Sequence, residues 1–146
     1  MNNFIEDLES IVKLEINNIN EKITGVKFLE TLKFNLIPKI EKINFQNQEK
    51  IRDFNKKIII ENHDKKIELN LIFIDKVSET ERMKIENDQL LVVLDGFISV
   101  FVNKNFDSDA YKKINLNSYM GISLPNETFC KFSYNKNTFF IKFLYF

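Results

Sequence analysis

The sequence predicts a mainly β protein, an antiparallel sandwich or barrel preceded by one amphipathic helix. Two observations carry most of that expectation. From about residue 57 onward, short runs of β-branched, aliphatic and aromatic residues recur roughly every 8–12 residues with turn signals between them, the pattern of antiparallel sheets and not of βαβ units. Within that region residues 90–94, Leu-Leu-Val-Val-Leu, are wholly apolar, as suits a strand covered on both faces. Asp95-Gly96 joins this run to a second one. There Ile98, Val100 and Val102 alternate with Phe97, Ser99 and Phe101, so aliphatic and aromatic residues take opposite faces. An Asp-Gly pair between two β-prone runs reads as a hairpin turn in the middle of the fold. The third observation is at the start, where apolar residues fall at helical spacing.

Taken in order, residues 3–23 read as a helix with Phe4, Leu8, Ile11, Val12, Ile16, Ile19 and Ile23 on one face and Glu6, Asp7, Glu9, Lys13 and Glu15 on the other. Asn3 is placed as an N-cap with Glu6 as its capping-box partner, and Gly25 stands where the helix would stop. Such a helix packs across its own domain or against a partner subunit. Residues 26–35 fit strand or helix, and Pro38 limits any helix crossing it. Residues 46–55 are polar and read as a loop or short helix. Residues 57–61 and 67–74 form a hairpin around the polar tip 62–66. Residues 75–88 are charged and make a connection or an irregular strand. After the central hairpin come a loop (103–109), a strand (110–116), a turn (117–121), a short strand (122–124), a break at 125–127, a strand (128–134), a turn (135–137) and a last strand (138–146). The division expected is an N-terminal helix over 1–25 and a β region over 26–146, one domain overall. The last strand is apolar on both sides and needs cover between sheets or against a second subunit, so a homodimer is expected.

Composition narrows the function classes. With 146 residues, 44% of them hydrophobic and a formal net charge of zero, the chain can bury a core and is not built to bind polyanions by bulk charge, so no nucleic acid partner is expected. One cysteine excludes an internal disulfide, no apolar run is long enough to span a bilayer, and the start lacks a secretory pattern. A cytoplasmic protein with no membrane partner is the expectation. A transition-metal site needs several His, Cys or carboxylate ligands, and one His and one Cys do not supply them, so neither metal nor other cofactor is expected. His63 reads as a turn residue, and Cys130 as a buried strand thiol without a His base.

From residue 89 onward the order of features resembles the cupin-type nucleotide-sugar 3,4-ketoisomerases, which act on dTDP-linked 4-keto-6-deoxyhexoses. The residues that carry the resemblance are Gln89 followed by the apolar run to Gly96, Gly121-Ile-Ser-Leu-Pro125, Phe129 in an aromatic position, and Tyr134 to Ile141 as the turn into the last strand. Residues 26–34 echo the family's first strand. The resemblance implies a cupin-like antiparallel jelly roll. It also implies a substrate site formed by Arg82, Lys84, Gln89, Ser123 and Phe129. One departure matters: counting back from Gly96, the family's paired histidines fall on Arg82 and Lys84. A ketoisomerase moves a proton beside a carbonyl and needs a group titrating near neutrality. Arg82 stays charged, and Lys84 serves as the base only if desolvation and Arg82 lower its pKa against the opposing effect of Glu86. Alternatively Arg82 and Lys84 hold a diphosphate. Three readings stay open: an isomerase with altered acid–base residues, a catalytically silent relative serving as a binding or assembly subunit in carbohydrate biosynthesis, and an unrelated small-molecule-binding β-sandwich.

Overall fold

A computed structural model describes residues 3–43, 56–62, 64–103 and 111–146. Among the described residues, two helices, α1 (Asn3–Asn18) and α2 (Gly25–Glu41), precede ten strands. The strands are β1 (Lys56–Asn62), β2 (Lys65–Ile74), β3 (Ser78–Glu79), β4 (Met83–Lys84), β5 (Gln89–Asp95), β6 (Ile98–Asn103), β7 (Lys112–Leu116), β8 (Gly121–Leu124), β9 (Phe129–Tyr134) and β10 (Thr138–Tyr145). They form two antiparallel sheets. The first has the order β1-β2-β10-β5-β8; the second has the order β3-β9-β6-β7, with β4 also paired to β9. This is an antiparallel β-sandwich, mainly β with helices at the N-terminal end.

Side-chain alternation along β5 and β10 divides the interior into two cores. Leu91, Val93 and Phe140 point between the sheets and meet Ile98, Val100, Leu116, Cys130 and Phe132. Leu90, Val92, Leu94, Phe139, Ile141 and Phe143 point the other way and meet the helices. The molecule is therefore three layers deep: helices, first sheet, second sheet. From α2 the stripe Phe28, Leu29, Leu32, Leu36 and Ile40 is fully buried, each side chain contributing about 1.5–3 kcal/mol. From α1 the stripe is Phe4, Leu8, Val12 and Ile16. The two helices are tied together by an ion pair between the buried Glu15 and Lys39.

Several elements depart from the sequence expectation, each for a physical reason. The first helix ends at Asn18 and not near residue 23, because Asn17, Asn18 and Asn20 favour local turns over helix; the Asn20 side chain accepts a hydrogen bond from the Lys22 amide at 2.9 Å. Gly25, at φ +63°, opens the second helix and does not close the first. The segment 26–35, expected to open the β region, lies inside α2, which continues through Pro38. Proline removes the bond to the Phe34 carbonyl, but Phe34 is 80% exposed and Pro38 is exposed, so the break falls on the watered side of the helix. Asp95-Gly96 is not a hairpin turn: β5 and β6 belong to different sheets. Only Gly96 of the pair has positive φ (+99°), and the chain turns a corner there from one sheet to the other. The hairpin at residues 57–74 does form, with Asn62 opposite Lys65. The last strand obtains its second cover from α1 and α2 of the same chain, which removes the reason for expecting a second subunit there. Residues 46–55, His63 and most of the 103–109 loop lie outside the described residues.

Candidate functional site

Strand register fixes what the inner face of the first sheet presents. One row runs Lys57, Asn70, Lys142, Leu91; the next runs Ile59, Glu68, Leu144, Gln89. On the other side of the first row lie Ile72, Phe140 and Val93, all apolar. The inner face thus changes from greasy to polar along the strands. At the change the sandwich holds a cavity of about 280 Å³. Its walls are Ile72, Leu91, Phe132, Tyr134, Phe140 and Leu144, its polar groups include Gln89 and Lys142, and its rim is the segment Met83, Lys84, Ile85, Glu86 and Asn87.

Backbone bonds hold that rim in place. The Ile85 amide donates to the Thr128 carbonyl and the Glu127 amide donates to the Ile85 carbonyl, both at 2.8 Å, so the charged connection is clamped to the β8–β9 turn. Three rings form a stack: Tyr134 lies 5.4 Å from Phe140 and 6.2 Å from Phe132, with interplanar angles of 12° and 15°. Burial pushes the Tyr134 phenol up to about 12, so it remains a neutral hydrogen-bond donor across the physiological range. Gln89 is 7% exposed and offers a carboxamide. On the adjoining polar rows, Glu68 is held below the usual carboxylate range by its bond from Lys57 at 2.7 Å, by Asn70 donating at 3.1 Å, and by the nearby charge of Lys142. The arrangement can recognise a hydroxylated ring by hydrogen bonds and stacking and a negative charge by ammonium groups.

The structure brings together some of the residues expected from sequence and separates others. Lys84 and Gln89 both line the cavity. Arg82 does not; its guanidinium lies 4.8 Å over the Tyr111 ring. On β8, Ile122 and Leu124 point between the sheets, so alternation turns Ser123 to the helix side, away from the cavity. Phe129 sits opposite Lys84 in the register, and since its neighbours Cys130 and Phe132 take the inner core it faces outward from the second sheet; the Lys84 side chain leaves on that same face, so Lys84 meets the cavity at its rim and not inside it. Lys84 is exposed. The Cys130 thiol is fully buried and burial pushes it up to about 11, which fits a core side chain. Among the described residues no group of three or more His, Cys, Asp or Glu is placed to hold a metal ion, and no helix is long and apolar enough to cross a membrane.

Tyr134 and Lys142 are not legible as site residues in the sequence. For Lys142 a signal exists: it is the one charge inside the apolar run of β10, and a charge kept within a buried strand needs a polar destination. Tyr134 carries no such mark, since its place at the cavity depends on β9 lying across the sandwich from β10, where Phe140 stacks on it.

No family model and no curated protein matches the chain. Among solved structures it is similar to the protein BH2720 of Bacillus halodurans, with a TM-score of 0.50 and 17% identity over 76% of each chain. It is also similar to a cupin-2 domain protein of Shewanella frigidimarina (TM-score 0.47, 16% identity, 72% of this chain and 95% of that one). A third is the WlaRB TDP-quinovose 3,4-ketoisomerase of Campylobacter jejuni (TM-score 0.43, 20% identity, 53% of this chain and 59% of that one). At 17% identity the likeness to the Bacillus halodurans protein is one of fold alone.

Proposed function

We propose that this cupin-like protein binds a small hydroxylated, anionic ligand of nucleotide-sugar chemistry in the cavity between its sheets, and that it does so without transferring protons. The observation that carries this reading is the meeting of Gln89, Lys142 and the neutral Tyr134 phenol at one cavity, with Lys84 on its rim. Gln89, Lys142 and Tyr134 offer donors suited to hydroxyls and to negative charge, while Glu86 on the rim offers an acceptor to a hydroxyl. At about 280 Å³ the cavity sits just below the usual range for small-molecule sites, roughly 300–1,000 Å³, and takes one sugar ring. A nucleotide would then leave past Lys84 into solvent.

Calorimetry and thermal shift with dTDP, UDP and a dTDP-4-keto-6-deoxyhexose test the reading. Binding of the sugar conjugate, raising the melting temperature with ligand concentration, is the expected result; absence of binding to every member of the set refutes it. The second reading, isomerisation, is favoured by Lys84 sharing the cavity with Gln89 as the ketoisomerase resemblance implies. Deuterium uptake from solvent at the carbon beside the ketone distinguishes the two. No uptake is expected from the bound sugar.

A further inference from the structure

β1 is an edge strand: its whole length pairs with β2 on one side, and among the described residues no strand pairs with the other. Open edges invite a further strand, and natural proteins usually guard them with charges. Here the charges are arranged with a twofold pattern. Residues 57–61 read Lys-Ile-Ile-Ile-Glu, a segment that complements itself when run antiparallel. Centred on Ile59, such a pairing sets Lys57 opposite Glu61 of the partner subunit, Ile58 opposite Ile60 of the partner subunit, and Ile59 opposite itself.

We propose that β1 pairs antiparallel with β1 of a second copy about a twofold axis at Ile59, joining the two first sheets into one continuous sheet. Three features support this partner over an unrelated strand. Opposite charges fall directly across from each other twice, whereas a parallel or shifted register loses this match. Ile59 is 49% exposed on the inner side, a large apolar group that its own symmetry mate would cover. On the other side Ile58 and Ile60 already belong to the core beneath the helices, so the pairing extends an apolar layer across the axis. Each contact is made twice by the same patch, as an isologous dimer requires. Lys57 is well exposed at its tip while it bridges Glu68, so it can face both carboxylates.

The test uses the whole chain. Sedimentation should show a dimer that dissociates on dilution, and Glu61→Lys, which sets two lysines face to face at both ends of the pairing, should weaken it by about tenfold or more. Ile59→Cys should form an intermolecular disulfide on mild oxidation, since the two cysteines meet at the axis. Glu61→Cys should not, because the same residue in the two copies lies four positions off register, roughly 14 Å apart along the strands. Cys130 is fully buried and stays out of this chemistry. A wild-type chain that sediments as a monomer at high concentration, an unchanged dimer in Glu61→Lys, or equal cross-linking at 59 and 61 overturns the proposal.

Discussion

Gly96→Ala isolates the corner at which the chain passes from one sheet to the other. A Cβ built at this position lies 2.6 Å from Thr138 Oγ1 and 2.7 Å from Thr138 Cα. The second of these atoms is backbone, so a side-chain rotation does not relieve the clash. Thr138 is itself pinned: its hydroxyl donates to the Asn135 carbonyl at 2.8 Å and accepts from the Phe97 amide at 3.2 Å. The left-handed φ of +99° adds strain that glycine escapes. Strain of this kind costs about 1–3 kcal/mol and forced overpacking about as much again, so the sum is roughly 2–6 kcal/mol. For a chain of this length each kcal/mol lowers Tm by about 2–4 °C, and a fall of roughly 10 °C is expected. Urea and thermal unfolding followed by circular dichroism measure it. Thr138→Ala in the same chain should not restore stability, because the clash with the main chain of residue 138 persists. A Gly96→Ala protein melting within about 2 °C of wild type refutes the account of the corner.

Other outcomes follow from the same structure. Gln89→Leu and Lys142→Met should each weaken sugar-conjugate binding about tenfold, whereas Ser123→Ala should leave it unchanged because Ser123 faces the helices; titration calorimetry decides. Lys39→Met leaves the buried Glu15 carboxylate without its cation and should cost about 2–3 kcal/mol in urea unfolding, with Glu15→Gln costing less. The Tyr134 phenol and Cys130 thiol sit at about 12 and about 11 in the fold against ordinary values of 10.0 and 9.0. Groups raised in this way contribute stability that is whole below the unfolded value and is lost as pH rises through the folded one. Stability should therefore decline above about pH 9, and Cys130→Ala should delay the onset.

Much of the β architecture is open to reading from local pattern. Alternation in residues 97–102 identifies the inward Ile98, Val100 and Val102 because strand periodicity depends only on the chain itself. The hairpin at residues 57–74 is readable for the same reason. The helix α2 is not: Phe28, Leu29, Leu32, Leu36 and Ile40 have helical spacing, but Pro38 and a run also compatible with strand conceal it, and packing against the first sheet overrides both. The Asp-Gly signal reads as a hairpin because turn chemistry reports a reversal of the chain and not the sheet that receives it.

For the site, the sequence names Lys84 and Gln89 only through a family resemblance, and by itself it supplies the doubly apolar strands β5 and β10. What covers those strands was decided only in three dimensions. One face of each meets the second sheet, the other meets α1 and α2, and this is a fact about segments far apart in the chain. The same holds for the cavity. Lys142 and Tyr134 join Gln89 there through strand order and register, while one step of alternation sends Ser123 to the opposite face. A strand's periodicity tells which side chains travel together, and only its neighbours determine where they arrive.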